Sequence, residues 1–425
     1  MTLRFLRPRK LGRLVLLLIA GYLAIGYVAP RLRWIPSQRG AEASLAESLP
    51  LAPAGVRASG VIHVHTHRSH DAVGDEGEVA GAALDSDVDF VMMGDHRAAD
   101  APPGQWQVPA HFVDGVLIIR GQEISLGGEV GRVIVFPLDT VLYDWTAGAD
   151  ELGRYLRETS STAIVAHSRS PRARDSWRPA ATSGIVGWEV FDLADIGRAR
   201  LADPWVVYHV LSLATSLPIG RGHWSLVRLY RKGFQQPHVA AFDSLYQRAH
   251  LTALGGLDAH PKKRISGQLV PPYEPFFKSV VNHVELSMPL PADPDAASAV
   301  LANGIRAGSV FISMGDTRLA RNFVLQLAVP GGSRFGIGSY VNWEPGLYLR
   351  GGFWGGPHKG VLYRVVRDGE PAAWIKGPQL TWVVAAPGAY RVEAYRYTLR
   401  IGPLVWNLRP WIFANPFRVT PPEGD

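Results

Sequence analysis

The 425-residue chain contains no cysteine. Disulfide frameworks, thiolate metal sites and thiol nucleophiles are therefore excluded. It also has no acidic residue before Glu42, whereas Arg4, Arg7, Arg9, Lys10, Arg13, Arg31, Arg33 and Arg39 fall in that span. The net charge of +7 belongs to these eight; the rest of the chain carries 36 basic against 37 acidic residues. A near-neutral body argues against a nucleic-acid partner, and none is expected. Charged residues make up only 19% and apolar ones 47%, which excludes global disorder and supplies real cores. No internal repeat and no low-complexity tract interrupts the pattern.

Long hydrophobic runs are scarce. The clearest is residues 14–30, LVLLLIAGYLAIGYVAP, which is free of charge and follows five basic residues. It predicts a single-pass transmembrane helix with a cytoplasmic tip, placing the body across an inner membrane in a periplasm. A cleaved signal peptide with Ala24-Ile25-Gly26 at its cleavage site is the other reading, and it too exports the body, as a secreted protein.

The organisation that follows is 1–35 as tip and anchor, 36–57 as a Pro/Gly-punctuated linker, 58–290 as an α/β domain and 291–425 as a β-rich domain. Short apolar runs predict strands over 60–66, 89–94, 116–124, 163–167, 185–191 and 252–257, with helices over 76–86, 204–215 and 240–251. Alternating segments rich in Gly, Trp, Tyr and Val after about residue 332 predict a β-sandwich-like domain.

The polar residues of interest stand at strand ends, where barrels of parallel strands place their chemistry. HVHTHRSHD (63–71) puts His63 and His65 two apart on a strand, so both imidazoles are expected on one face, as half a metal site. His70 and Asp71 follow. DFVMMGDH ends in Asp95 and His96, IVAHS contains His167, and GGLDAH ends in Asp258 and His260. A lone histidine is more often structural; a series of them with carboxylates at successive strand ends points to clustered metal ions. The glycine pair of GGLDAH lacks the spacing of a phosphate-binding loop.

In order, HxH with SHD, GDH, GQE, AHS, GWEVFD and DAH resemble the PHP (polymerase and histidinol phosphatase) superfamily of metal-dependent hydrolases, most closely its carbamate-hydrolase-like branch. The resemblance covers about residues 58–290. It implies a distorted (β/α)7 barrel holding two or three divalent ions, zinc, manganese or iron. His63, His65 and Asp258 would hold the first, and Glu123 would bridge the first and second. His167 would hold the second, and His96 and His260 the third together with His70 or Asp71. Many members have a further histidine after the GWEVFD strand; here Asp192 and Asp195 stand there, with Asp192 the candidate ligand. Asp95 would orient its neighbour.

Imidazole and carboxylate ligands suit such ions, which lower the pKa of a bridging water and yield hydroxide near neutral pH. Glu123, Asp95, Arg97 and Arg169 are the candidate catalytic residues. Strand-end cations, Arg97, Arg169, Arg172, Arg174, Lys262 and Lys263, favour a phosphoester as substrate, either a small molecule or one linked to the cell envelope. Hydrolysis of a carbamate, ester or amide is the first alternative, and a degenerate binding or scaffolding module in the envelope the second.

Overall fold

The computed structural model describes residues 8–422, apart from 30, 40–50, 54, 97–108, 128–129, 139–148, 179–183, 231–233, 235, 330–331 and 356–358. The protein is a mixed α/β molecule of two domains with a large sheet-rich portion.

A helix, α1 (Pro8–Val28), forms over the apolar run. Among the described residues, however, no helix is long and apolar enough to cross a membrane, so the spanning helix expected from the sequence is not supported. Tyr22 and Tyr27 turn toward the body instead: their rings lie 4.9 Å from Trp205 and 6.3 Å from Trp406. β1 (Leu32–Trp34) then pairs directly with the body.

The first domain is organised around β2 (Val56–Val64). Next come α2 (Glu76–Leu84), β3 (Phe90–Met93), β4 (Val116–Ile119), β5 (Gln122–Leu126) and β6 (Gly131–Phe136). α3 (Ala149–Glu158), β7 (Thr162–Ala166), β8 (Ile185–Asp192), α4 (Leu193–Leu201), α5 (Val206–Ser216), α6 (Pro237–Tyr246) and β9 (Thr252–Ala259) complete it. β2 pairs in parallel with β3, and β3 with β4. A parallel bridge from Asp95 to Gln122 carries the sheet to β5. β6 runs antiparallel between β5 and β7, after which β7, β8, β9 and β2 are again parallel, so the pairings return to their start. The predicted strand over 116–124 is broken at Arg120-Gly121. Gly121 sits so close to the Met93 carbonyl and Ile134 that no side chain fits there.

Strands such as β3 and β7 are apolar on both faces because both are covered. α2 lays only small residues, Val79, Ala80 and Ala83, against β3 and β4. Its start is set by a reciprocal cap: Asp75 accepts from Glu78 N–H while the Glu78 carboxylate accepts from Asp75 N–H.

The second domain follows from β10 (Val280–Leu286) and β11 (Val310–Met314). Two sheets face each other there, one containing β12 (Phe323–Ala328) and β13 (Tyr348–Phe353), the other β14 (Val361–Arg367) and β15 (Gly388–Arg396). Phe323, Leu325 and Phe353 pack with Tyr363, Val392 and Trp411 between them. A hairpin of β16 (Leu399–Ile401) and β17 (Leu404–Trp406) precedes β18 (Arg409–Ala414).

The domains share one continuous ladder, since β10 pairs with both β2 and β11, and β11 with β18. Two asparagines close its gaps. Asn282 accepts from Gly255 N–H and donates to Gly255 C=O, at 2.8 and 2.9 Å. Asn415 does the same for Ala253 and also donates to Val310 C=O, at 2.7, 2.9 and 2.9 Å. Each carboxamide stands in for a peptide group where strands diverge, and buried backbone groups need such partners. Asn415→Ala strands three of them and should destabilise the fold by about 3 kcal/mol. The check is a lower urea midpoint at unchanged slope; an unmoved midpoint would mean that water replaces the carboxamide.

Candidate metal centre

Backbone irregularities deliver the site. His63, His167 and Asp258 all adopt left-handed conformations, with φ of 65°, 51° and 48°. Strand pairing slips at the first and last of these, between Ile62 and Val64 and between Gly256 and Ala259. Such bulges re-aim a side chain at a strand end. Simple alternation is therefore not what brings His63 and His65 together: β2 bulges at His63 and ends before His65, yet the rings lie 5.2 Å apart. Non-glycine residues hold this conformation only where their surroundings over-determine it, and such residues cluster at functional sites.

Glu123, buried on β5, stands between the imidazoles. Its Oε2 lies 3.4, 3.6 and 3.2 Å from Nε2 of His63, His65 and His96. Its Oε1 lies 3.3 Å from Nε2 of His167. Asp258 Oδ1 is 3.5 and 3.6 Å from the same nitrogens of His63 and His65. Ligands sharing one ion at ordinary metal–nitrogen and metal–oxygen lengths stand roughly 3.0–3.5 Å apart. Among the described residues, the buried Nε2 atoms of His63 and His65 and Oε2 of Glu123 have no hydrogen-bond partner, which is costly without a metal. The residues thus fit divalent ions. Among the described residues three groupings could hold one: His63, His65, Glu123 and Asp258; His65, Asp71, His96 and His260; and His63, His167 and Asp192.

The outer nitrogens explain the ring orientations. Nδ1 of His63 meets Glu189 at 2.8 Å, and Nδ1 of His65 meets Ser69 Oγ at 3.2 Å. Nδ1 of His260 meets the Asp258 carbonyl at 2.9 Å. Nδ1 of His167 lies 2.7 Å from Asp192 and 3.1 Å from Asp195. Imidazole ligands are typically fixed this way through the nitrogen that does not bind metal. Asp192 therefore touches the side of His167 turned away from Glu123. It also caps α4 by accepting from Asp195 N–H at 2.8 Å, which sets Asp195 beside the ring.

Glu189 was missed as a site residue, although an acidic residue inside the apolar GWEVFD strand was its visible signal. It also accepts from His167 N–H at 3.0 Å. Gly256 makes room for it, because a Cβ there would collide with the carboxylate; Gly255 does the same for Val280.

Charge follows position. Burial opposes protonation of His63, but Glu189 and Glu123 outweigh it and hold the imidazole well above its ordinary pKa. Burial likewise opposes charge on His167, and Asp192 and Asp195 overcome it. His65 is pushed well down, by burial and then by His260 and His63. Burial opposes the charge on Glu123, yet His63 and His167 keep its carboxyl far below the usual range.

Of the two residues left open after HxH, Asp71 joins the cluster, with Oδ2 2.9 Å from His260 Nε2. His70 is exposed and stacks toward His96 at 5.5 Å. Asp95 faces away from the cluster. It accepts from Thr66 N–H at 2.6 Å and Thr66 Oγ1–H at 2.9 Å, and burial pushes its pKa up to about 6. Arg97 lies outside the described residues, and Arg169 is exposed. Arg172, Arg174 and Lys262 line a cavity of about 790 Å3 over the cluster. So do Arg132 and Arg198, which the motifs did not reveal. Arg132 donates to Glu123 at 3.2 Å, and Arg198 to Asp195 and Asp258 at 2.8 and 3.1 Å.

No family model matches the chain, and no curated protein does. Among solved structures it is similar to a two-domain protein from Bacteroides vulgatus containing a predicted PHP-like metal-dependent phosphoesterase. The identity is 12% and the TM-score 0.37, over 89% of this chain and 98% of that one.

Without metal, burial opposes the charge on His260, but Asp258 and Asp71 raise its pKa to about 9. The folded state then binds this proton more tightly than the unfolded chain, where the pKa is about 6.5. The resulting stability is fully present below about 6.5 and is lost as pH rises through about 9. Thermal melts of the chelated protein should show that decline, and Asp71→Asn should shrink it. Stabilisation by added zinc should grow over the same interval, because binding displaces the proton. Superimposable pH profiles for the two proteins would refute this account.

Proposed function

We propose that this chain is a metal-dependent hydrolase of PHP type that cleaves phosphoesters, with its cluster borne on a distorted seven-stranded barrel. The observation that carries the reading is Glu123, whose two carboxylate oxygens address different histidines, as a ligand bridging two ions would. In this proposal His63, His65 and Asp258 hold one ion with Glu123, and His167 shares Glu123 with a second. Asp71, His96 and His260 hold a third. Asp192, Asp195 and Glu189 orient the histidines.

Bound ions would supply an activated water and offset charge on the substrate's oxygens. The chain's own contribution is positioning and electrostatics. Arg132 and Arg198 touch carboxylates of the cluster, and Arg172, Arg174 and Lys262 line the same cavity. Guanidinium groups match phosphate oxygens in pairs, which favours phosphorus over a carbamate or ester carbonyl as the electrophile. No protein nucleophile is required, in keeping with the absence of cysteine.

The test assays the zinc- and manganese-loaded protein against a nitrophenyl phosphate, a bis-nitrophenyl phosphate and a nitrophenyl carbamate. Phosphoester turnover is expected. Glu123→Gln should lower kcat at least about a hundredfold. Arg198→Ala should raise KM about tenfold, the loss of one charged contact. Carbamate turnover without phosphatase activity would replace phosphorus by carbon in the assignment. No turnover on any substrate, with metal bound, would favour a binding module.

A further inference from the structure

The second feature demanding an explanation lies away from the metal cluster. β1, β17 and β16 form a separate three-stranded antiparallel sheet. The register places Trp34, Leu404 and Ile401 in one row across it, and Leu32, Trp406 and Leu399 in the next alternate row. Five of these six side chains are exposed, Trp34 at 72% and Ile401 at 67%. The row between them, Arg33, Val405 and Arg400, belongs to the opposite face, where Val405 is buried with Ile35 and Leu362. Among the described residues, this face of the sheet is therefore apolar and, apart from Trp406, exposed.

Two helices continue the surface. α5, VVYHVLSLATS, buries none of its residues, and Val207, Val210 and Leu211 stand exposed at the spacing of one helical face. α1 exposes Leu14 to Ile19 and is joined to α5 through Tyr22 and Trp205, and to β17 through Tyr27 and Trp406. Apolar patches of this extent mark a binding surface.

Charge identifies the occupant. Arg31, Arg228 and Arg409 line one small cavity beside α5, together with Tyr208 and Asn407. Burial, and then repulsion from Arg396, Arg228 and Arg31, holds the Arg409 guanidinium below its ordinary value against the pull of Asp316. Aliphatic side chains from two helices and a sheet, bordered by Trp, Tyr and clustered arginines, match the interface of an anionic bilayer.

We propose that the face formed by β1, β16, β17, α5 and α1 rests on an anionic lipid surface, with Arg31, Arg228 and Arg409 receiving headgroup phosphates. The body is then held against the bilayer rather than suspended from a tether, because β1 joins it directly after α1. The inference is independent of the chemistry assigned to the metal cluster.

The absence of cysteine makes the test clean. Ile401→Cys and Val210→Cys, with Leu84→Cys on α2 as an exposed control, each accept one environment-sensitive dye on the full chain. The labelled proteins are bound to vesicles of phosphatidylcholine containing phosphatidylglycerol, some with brominated acyl chains. Dyes at 401 and 210 should shift to the blue, be quenched by bromine and be shielded from iodide, while the dye at 84 stays open to iodide. Adding Arg228→Gln and Arg409→Gln should weaken vesicle binding by about fivefold per arginine, with preference for the anionic lipid lost. The proposal fails if dyes at 401 and 210 remain as open to iodide as the control on bound protein. It fails equally if their protection tracks the protein-to-lipid ratio, since a second copy would then be the cover.

Discussion

A fully buried carboxylate among imidazoles governs this molecule. Glu123 is shielded from water, so its charge is tolerable only beside His63, His65, His96 and His167 or the ions they could hold. Each histidine must therefore present Nε2 inward, and each needs a partner for Nδ1. That requirement propagates outward. Glu189 must lie under His63, Gly256 must lack a side chain to admit Glu189, and Asp192 must end β8 where it both touches His167 and caps α4. The left-handed residues His63, His167 and Asp258 carry the backbone cost of this convergence.

The rest of the fold supplies rigidity for that strain. β2 is paired along both edges, to β3 on one side and to β9 and β10 on the other. Asn282 and Asn415 fill the places where β9 leaves its neighbours. The second domain is consequently part of the same hydrogen-bonded ladder as the candidate metal ligands, and its sheet cannot shift far without disturbing β9 and Asp258.

Much of the site was legible because strand ends carry it. His63, His65, His96, Glu123, His167, Asp258 and His260 all stand in motifs short enough to read locally and meet in space, whereas the choice between His70 and Asp71 had to wait for the fold, which brings Asp71 to His260. What stayed hidden depends on three-dimensional placement. Arg132 comes from the antiparallel strand β6 and Arg198 from the second turn of α4, and neither lies in the motifs that carry the ligands. Arg169 is two residues from His167 in sequence yet points to solvent. The apolar run that predicted a spanning helix showed hydrophobicity but not the tyrosine contacts that tie α1 to the body. Nor could the exposed row of Trp34, Ile401 and Leu404 be read beforehand, since its strands come from opposite ends of the chain.

Charge balance links the cluster to its cavity. Glu123, Glu189, Asp192, Asp195 and Asp258 crowd a small buried volume. Without ions, protonated His63, His167 and His260 offset them together with Arg132 and Arg198. Ions require neutral imidazoles and bring two charges each, so loading the cluster replaces protons by a larger positive charge. Bound ions would engage the carboxylates and so weaken the arginine–carboxylate pairs. Arg132 and Arg198, which line the same cavity as Arg172, Arg174 and Lys262, would then have charge to spare. Under the proposed function, the same exchange of protons for ions would turn the surroundings of the cluster toward an anionic substrate.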